Sequence, residues 1–147
     1  MSFHDLPQDW PTRSLADPAF AADVLDLCVS DDDRTAGGLS VLLCRPDGSL
    51  SQPIFVADVP RPAALLEAVS AVVLGSLHLP GVDGLVLAVA RARGGVNDDD
   101  RRLHQHAIEV CRRALLTLHG TFLVTTAGVF HLPVAGQLRS AQPRDVA

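Results

Sequence analysis

Gly84-Leu85-Val86-Leu87-Ala88-Val89-Ala90, followed at once by Arg91-Ala92-Arg93-Gly94-Gly95-Val96 and then by Asn97-Asp98-Asp99-Asp100, is the stretch that decides the fold. Seven apolar residues without alternation read as a strand covered on both faces, because a half-solvated strand alternates apolar and polar positions. Such a strand belongs in the middle of a sheet, with helices above and below it. The glycine-rich loop then leads into the longest helix, predicted to run to about Leu118. Asn97 is its N-cap, and Asp100 stands where a capping box ordinarily has Glu or Gln. Three acids in the first turn suit the positive end of the helix dipole. Leu103, Ala107, Val110, Cys111, Ala114, Leu115 and Leu118 share one face, and Gly120 reads as the glycine just beyond the helix end.

Upstream, Asp17-Pro18 starts a helix, with Asp as N-cap and Pro at the first helical position. Phe20, Val24, Leu27 and Cys28 line its apolar face. Asp31-Asp32-Asp33-Arg34 and Gly37-Gly38 read as the solvated loop that ends it; the three acids lack the spacing and closing Glu of a calcium loop. Leu39–Cys44 and Ser51–Ala57 form a hairpin through Arg45-Pro46-Asp47-Gly48. Past Pro60-Arg61-Pro62, a helix from about Ala63 to Leu77 carries a broad apolar stripe of Leu65, Leu66, Val69, Val72, Val73 and Leu77. Downstream, Thr121–Thr126 is a strand, Ala127-Gly128 a turn and Val129–Leu132 a return strand. The order α-β-β-α-β-α-β-β describes a single three-layer α/β domain, with a mixed sheet and helices on both faces. Residues 1–13 read as an irregular arm, 14–133 as the domain and 134–147 as a flexible tail.

A chain of 147 residues is one domain by length and buries enough surface to fold without disulfides or structural metal. Its apolar share of 48% against 20% charged residues places it with globular proteins rather than disordered ones. Net charge is −5, and all twelve basic residues are Arg. Acidity, scattered Arg and the absence of Tyr argue against nucleic-acid binding, which needs clustered cations and stacking platforms. Cys28, Cys44 and Cys111 sit far apart in apolar runs, as buried reduced thiols do. No apolar stretch suggests a leader or a membrane span, so the expectation is a soluble, cytoplasmic protein.

Chemistry would sit in the Arg91–Asp100 loop, at the C-terminal end of the central strand, where α/β sheets bind their ligands. Arg91, Arg93, Asn97, Asp100 and His104 are the ligand-binding candidates. If the strand extends that far, Arg91 and Arg93 point to one face, next to the acids. Two alternatives follow: an anion- or metal-binding mouth, or a helix cap whose acids are neutralised by Arg. The loop lacks the Gly-Lys-Ser/Thr of a Walker A and the full GxGxxG, and three acids would repel a phosphate. His104 and His106 project about 200° apart on a helix and cannot share a metal. Asp100 and His104 do share a face and could supply two ligands, with His78 or His131 as a third, or could form a plain helical surface pair. Ser40, Ser70 and Ser76 have no visible base, and no GxSxG, HExxH or CxxC occurs. No catalytic residue, metal or cofactor is assigned.

From about Val41 to Leu132 the sequence resembles the RadC-like branch of the JAB/MPN (JAMM) domains. The hairpin through Arg45-Pro46-Asp47-Gly48 looks like the family's opening strand pair. The helix Ala63–Leu77 matches the one before its metal strand, and Gly84–Ala90 stands where its central strand leads into a His-x-His-Pro-Ser-Gly loop. Asn97-Asp98-Asp99-Asp100 resembles the Ser-x-x-Asp that opens the next helix, and Thr121–Leu132 is similar to its closing hairpin. Ala90 and Ala92 replace both metal histidines, the loop is shorter, and only Asp100 keeps the character of a ligand. The resemblance therefore implies a metal-free, catalytically inactive relative that acts as a binding or interaction module, with a homodimer or a protein partner. The alternatives are a hydrolase with an atypical site, where Asp100 and His104 act and Arg91 and Arg93 hold an anionic substrate, and a nucleic-acid accessory role.

Overall fold

The computed structural model describes residues 10–59 and 62–132. The first nine residues of the expected arm, the 60–61 pair and the expected tail lie outside the described residues. Among the described residues, four helices, α1 (Pro18–Cys28), α2 (Asp31–Ala36), α3 (Pro62–Ser76) and α4 (Asp98–Arg113), pack on a sheet of β1 (Gly38–Cys44), β2 (Leu50–Ala57), β3 (Gly84–Ala90), β4 (Thr117–Thr125) and β5 (Gly128–Leu132). Trp10–Thr12, within the expected arm, forms a short 3-10 turn. The α/β class is as expected, and the sheet is mixed.

Strand order is β2-β1-β3-β4-β5, so the all-apolar β3 is the central strand. All seven of its residues are buried. It runs antiparallel to β1 and parallel to β4, with α4 as the crossover that a parallel pair requires. The hairpin puts β2 on one edge, where Pro53 is tolerated because an edge strand need not donate on its outer side. Alternate residues of β1, β3 and β4 divide the core in two. Leu42, Val86, Ala88, Phe122 and Val124 meet Phe20, Val24 and Leu25 of α1. Leu39, Val41, Leu85, Leu87 and Leu123 meet Val69 and Val73 of α3 and Leu103, Ala107 and Cys111 of α4.

Four local expectations change. The three acids at 31–33 open α2 rather than a loop, because Ser30 Oγ accepts from Asp33 N at 3.1 Å and carboxylates stabilise a helix start. The helix α1 buries Ala21 and Leu25 more deeply than Leu27 and Cys28. In α3, Leu77 is half exposed and Ser76 is buried, since the helix ends at Ser76.

The largest change is at the end of α4, which stops at Arg113. The N–H of Leu116 closes back on Cys111 O at 2.9 Å, and Leu115 takes the left-handed conformation (φ 59°) that glycine usually fills. Leu115 is therefore 88% exposed and outside the predicted buried face. Gly120 lies inside β4, which starts at Thr117. A Cβ there would stand 3.1 Å from the Phe122 ring and 3.4 Å from His131, so close packing, not helix termination, accounts for the glycine. Next to it, His119 is the extra residue of a bulge, since Leu118 pairs with Leu85 and Gly120 with Val86.

Candidate functional site

The mouth at the end of β3 is assembled by the start of α4. Asn97 Oδ1 accepts from Asp100 N, and Asp100 Oδ2 accepts from Asn97 N, each at 2.9 Å, which is the reciprocal capping box. Aspartate closes the box here as glutamate ordinarily does, its shorter side chain still reaching the Asn97 N–H. The Arg91 guanidinium then grips the same carboxylate through two bonds of 2.7 Å. Asp100 is almost fully buried, whereas Arg91 keeps a quarter of its side chain in solvent. The paired carboxylate, chiefly through its hydrogen bonds, raises the Arg91 pKa above its ordinary value.

Arg91 also donates to Gly95 O, which closes the glycine loop over the pair. The neighbouring acids are matched in turn: Arg101 reaches Asp98 at 3.0 Å and Arg102 reaches Asp99 at 3.1 Å. These exposed pairs contribute little to stability, but they leave the helix start electrically balanced. Arg93 does not join them. Regular β3 ends at Ala90, and Arg93 is exposed with no hydrogen bond or ion pair among the described residues. The mouth opens on a cleft of about 340 Å³ walled by Gly38, Val59, Leu65, Val89 and Leu103 beside Arg91 and Asp100.

His104 does not belong to this mouth. One turn along α4 it turns under the sheet, 7% exposed, with Nδ1 2.7 Å from Thr121 Oγ1 of β4. It is neither a partner of Asp100 nor a surface residue. It lines a second cleft with His119 and His131, while His78 is exposed in the turn after α3. Among the described residues, no three His, Cys, Asp or Glu side chains are arranged to hold a metal ion.

Burial lowers the pKa of His104, with the nearby His131 adding to the effect; burial also lowers His131, and lowers His119 against an opposing pull from Asp83. A histidine whose folded pKa is depressed adds stability above its unfolded value of 6.5. That stability is lost as pH falls through 6.5 toward the folded value. The urea midpoint is thus expected to hold above about pH 7 and to drop by about pH 5.5, before most carboxylates titrate. An unchanged midpoint across that interval would show that the three rings are not held neutral.

Ser70 has a histidine after all. Its Oγ lies 2.8 Å from His106 Nε2, across the α3–α4 contact. Nothing local in the sequence marks the pair, which is 36 residues apart on two helices. Both residues sit in mid-helix, where backbone N–H groups are consumed by helical bonding and cannot form an oxyanion hole. The contact joins the two helices. Replacing Ser70 by Ala should cost about 1 kcal/mol, readable in a urea melt, as for one ordinary hydrogen bond.

Two further features escaped sequence reasoning. Arg34 is buried and ties α1 and α2 to the end of β4. The bulge at His119 did have a signal, a glycine inside a strand-like run, which marks a bulge or a close approach. The three cysteines are free, with Cys44 and Cys111 buried and Cys28 half buried; burial pushes the thiols of Cys44 and Cys111 up to about 12 and about 11. No helix among the described residues is long and apolar enough to cross a membrane. Compared with known proteins, the chain matches no family model and no curated protein sequence.

Proposed function

We propose that the chain is a catalytically inactive binding or interaction module on a RadC-like JAB/MPN scaffold, working in the cytoplasm and pairing with a second copy of itself. The observation that carries this reading is the state of Asp100. Its two oxygens already accept three hydrogen bonds, two from Arg91 and one from Asn97. In the active members that the resemblance brings to mind, the corresponding Asp binds zinc beside two histidines, and here Ala90 and Ala92 stand in their place. A catalytic zinc needs about three protein ligands. One carboxylate clamped by a guanidinium does not fit that ion. The hydrolase alternative has less to stand on, since Asp100 and His104 face different clefts.

The proposed self-contact uses the outer side of α3. Leu74 is 60% and Leu77 50% exposed, and with Val110, Arg113 and Ala114 they edge an apolar groove between α3 and α4. Glu67 and Arg113 are exposed and unpaired among the described residues. In an antiparallel pairing of two α3 helices centred near Ala71, Glu67 of one copy comes opposite Gly75 of the other, next to Leu74, which lines the groove with Arg113. A two-fold contact of this kind brings each charge to its complement. Sedimentation velocity tests the reading. A dimer that Leu74→Glu converts to a folded monomer supports it, and a native chain that stays monomeric at micromolar concentration overturns it.

Leu115 adds a second check. Replacing it by glycine should raise the intrinsic stability of the monomer by about 1 kcal/mol, because a leucine in the left-handed region costs that much. The urea midpoint of a dilute sample reports the gain.

A further inference from the structure

The cleft between α4 and the bulged part of β4 has features that the interaction-module reading does not use. It encloses about 480 Å³, within the usual size of small-molecule sites. Ile108, Leu116, Leu118 and Leu132 supply apolar walls, and His104, His119, His131 and Arg112 the polar groups.

Three independent observations converge on it. First, His104 Nε2 is, among the described residues, the one buried side-chain polar atom without a hydrogen-bond partner. Native proteins leave few such atoms, and each calls for an account. Second, the bulge in β4 places His119 as an extra residue at the cleft, an irregularity that strands use to re-aim a side chain. Third, Gly120 and the stacking of His131 on Phe122, with ring centres 4.7 Å apart, shape the wall beside it.

The chemistry of the ligand follows from the tautomer of His104. Thr121 is fully buried, and Nδ1 of His104 is the partner of its hydroxyl. A hydroxyl always carries a proton, and if Nδ1 were the donor that proton would have no acceptor among the described residues. The hydroxyl therefore donates to Nδ1, and the imidazole proton sits on Nε2. Nε2–H is then a donor lacking an acceptor. Arg112, exposed and without an ion pair among the described residues, adds a positive charge to the lining. A metal does not suit this set, since Nε2 carries the proton a metal would displace and no three ligand-type side chains converge.

We propose that this cleft binds a small carboxylate with an apolar body, the carboxylate accepting from His104 Nε2–H and drawn in by Arg112, the body lying against Ile108, Leu116 and Leu132. The site is separate from the Arg91–Asp100 mouth and shares no lining residue with the α3–α4 groove, so it stands whether or not the chain dimerises.

Titration of the full chain with benzoate and isovalerate, followed by NMR of the histidine side chains, tests it, with benzamide and isovaleramide as uncharged isosteres. The carboxylates should move the His104 ring signals and the amides bind at least tenfold more weakly. Arg112→Gln, a surface change, should weaken carboxylate binding several-fold while folding is kept. The double variant His104→Leu/Thr121→Val removes both hydrogen-bond partners together, so the core keeps no orphaned hydroxyl, and it should abolish the response. Carboxylates that leave the His104 signals unmoved at millimolar concentration would overturn the proposal. So would equal binding of the amides, or undiminished binding in a folded double variant.

Discussion

Arg34→Ala is expected to destabilise the protein by about 3–5 kcal/mol in urea denaturation, the cost of breaking a buried, multiply bonded cation. The guanidinium is 6% exposed. It donates to Val29 O at 3.0 Å, to Thr125 O at 3.1 Å and to Asp26 O at 2.8 Å, and it pairs with the Asp26 carboxylate at 2.9 Å. Alanine leaves three carbonyl oxygens without that donor, and each buried unsatisfied group costs about 1–3 kcal/mol. Asp26 is a third exposed and recovers water, so the carboxylate contributes the smaller share. Domains of this class have about 5–15 kcal/mol in total, so the variant loses a large share of its stability. Arg34→Lys should recover only part of the loss, because an ammonium on a flexible stem cannot span acceptors on three segments as the planar fork does. A loss below about 1 kcal/mol for the alanine variant would mean that water replaces the arginine.

Arg91→Ala carries the second large effect, about 2–4 kcal/mol, because it strands the buried Asp100 with only the Asn97 N–H to compensate it. The value lies below that of a fully buried pair, since Arg91 is one quarter exposed and some solvent already reaches the contact. Asp100→Asn in the same background should be less damaging than the two single losses added together, since it removes the uncompensated charge. A double-mutant cycle read by urea midpoints measures that coupling. Strict additivity would contradict a direct bond between the two side chains.

Much of this architecture can be read from local pattern. The unalternating Gly84–Ala90 run marked the central strand, Asp17-Pro18 and Asn97 marked two helix starts, and the Pro-Asp-Gly turn marked the hairpin. Each of these signals is contained within a few residues. What escaped depends on contacts far apart in sequence. The end of α4 is not legible locally because glycine ordinarily ends a helix, whereas here Leu115 bears the left-handed strain and Gly120 is required by the Phe122 and His131 rings.

At the candidate site, the link between Asn97 and Asp100 was legible because cap chemistry is local. The direction of His104 was not, because its partner Thr121 comes from β4. Helical spacing put Asp100 and His104 on one face, but that face is wide enough to divide between two clefts. The Arg34 hub and the Ser70–His106 contact were invisible for the same reason.

The most direct test of the central claim is native mass spectrometry of the untagged full chain with equimolar zinc, because it reads bound metal and subunit number together. A two-chain mass without retained zinc is the predicted result. One zinc per chain, lost in Asp100→Asn, would contradict the account and make Asp100 a metal ligand.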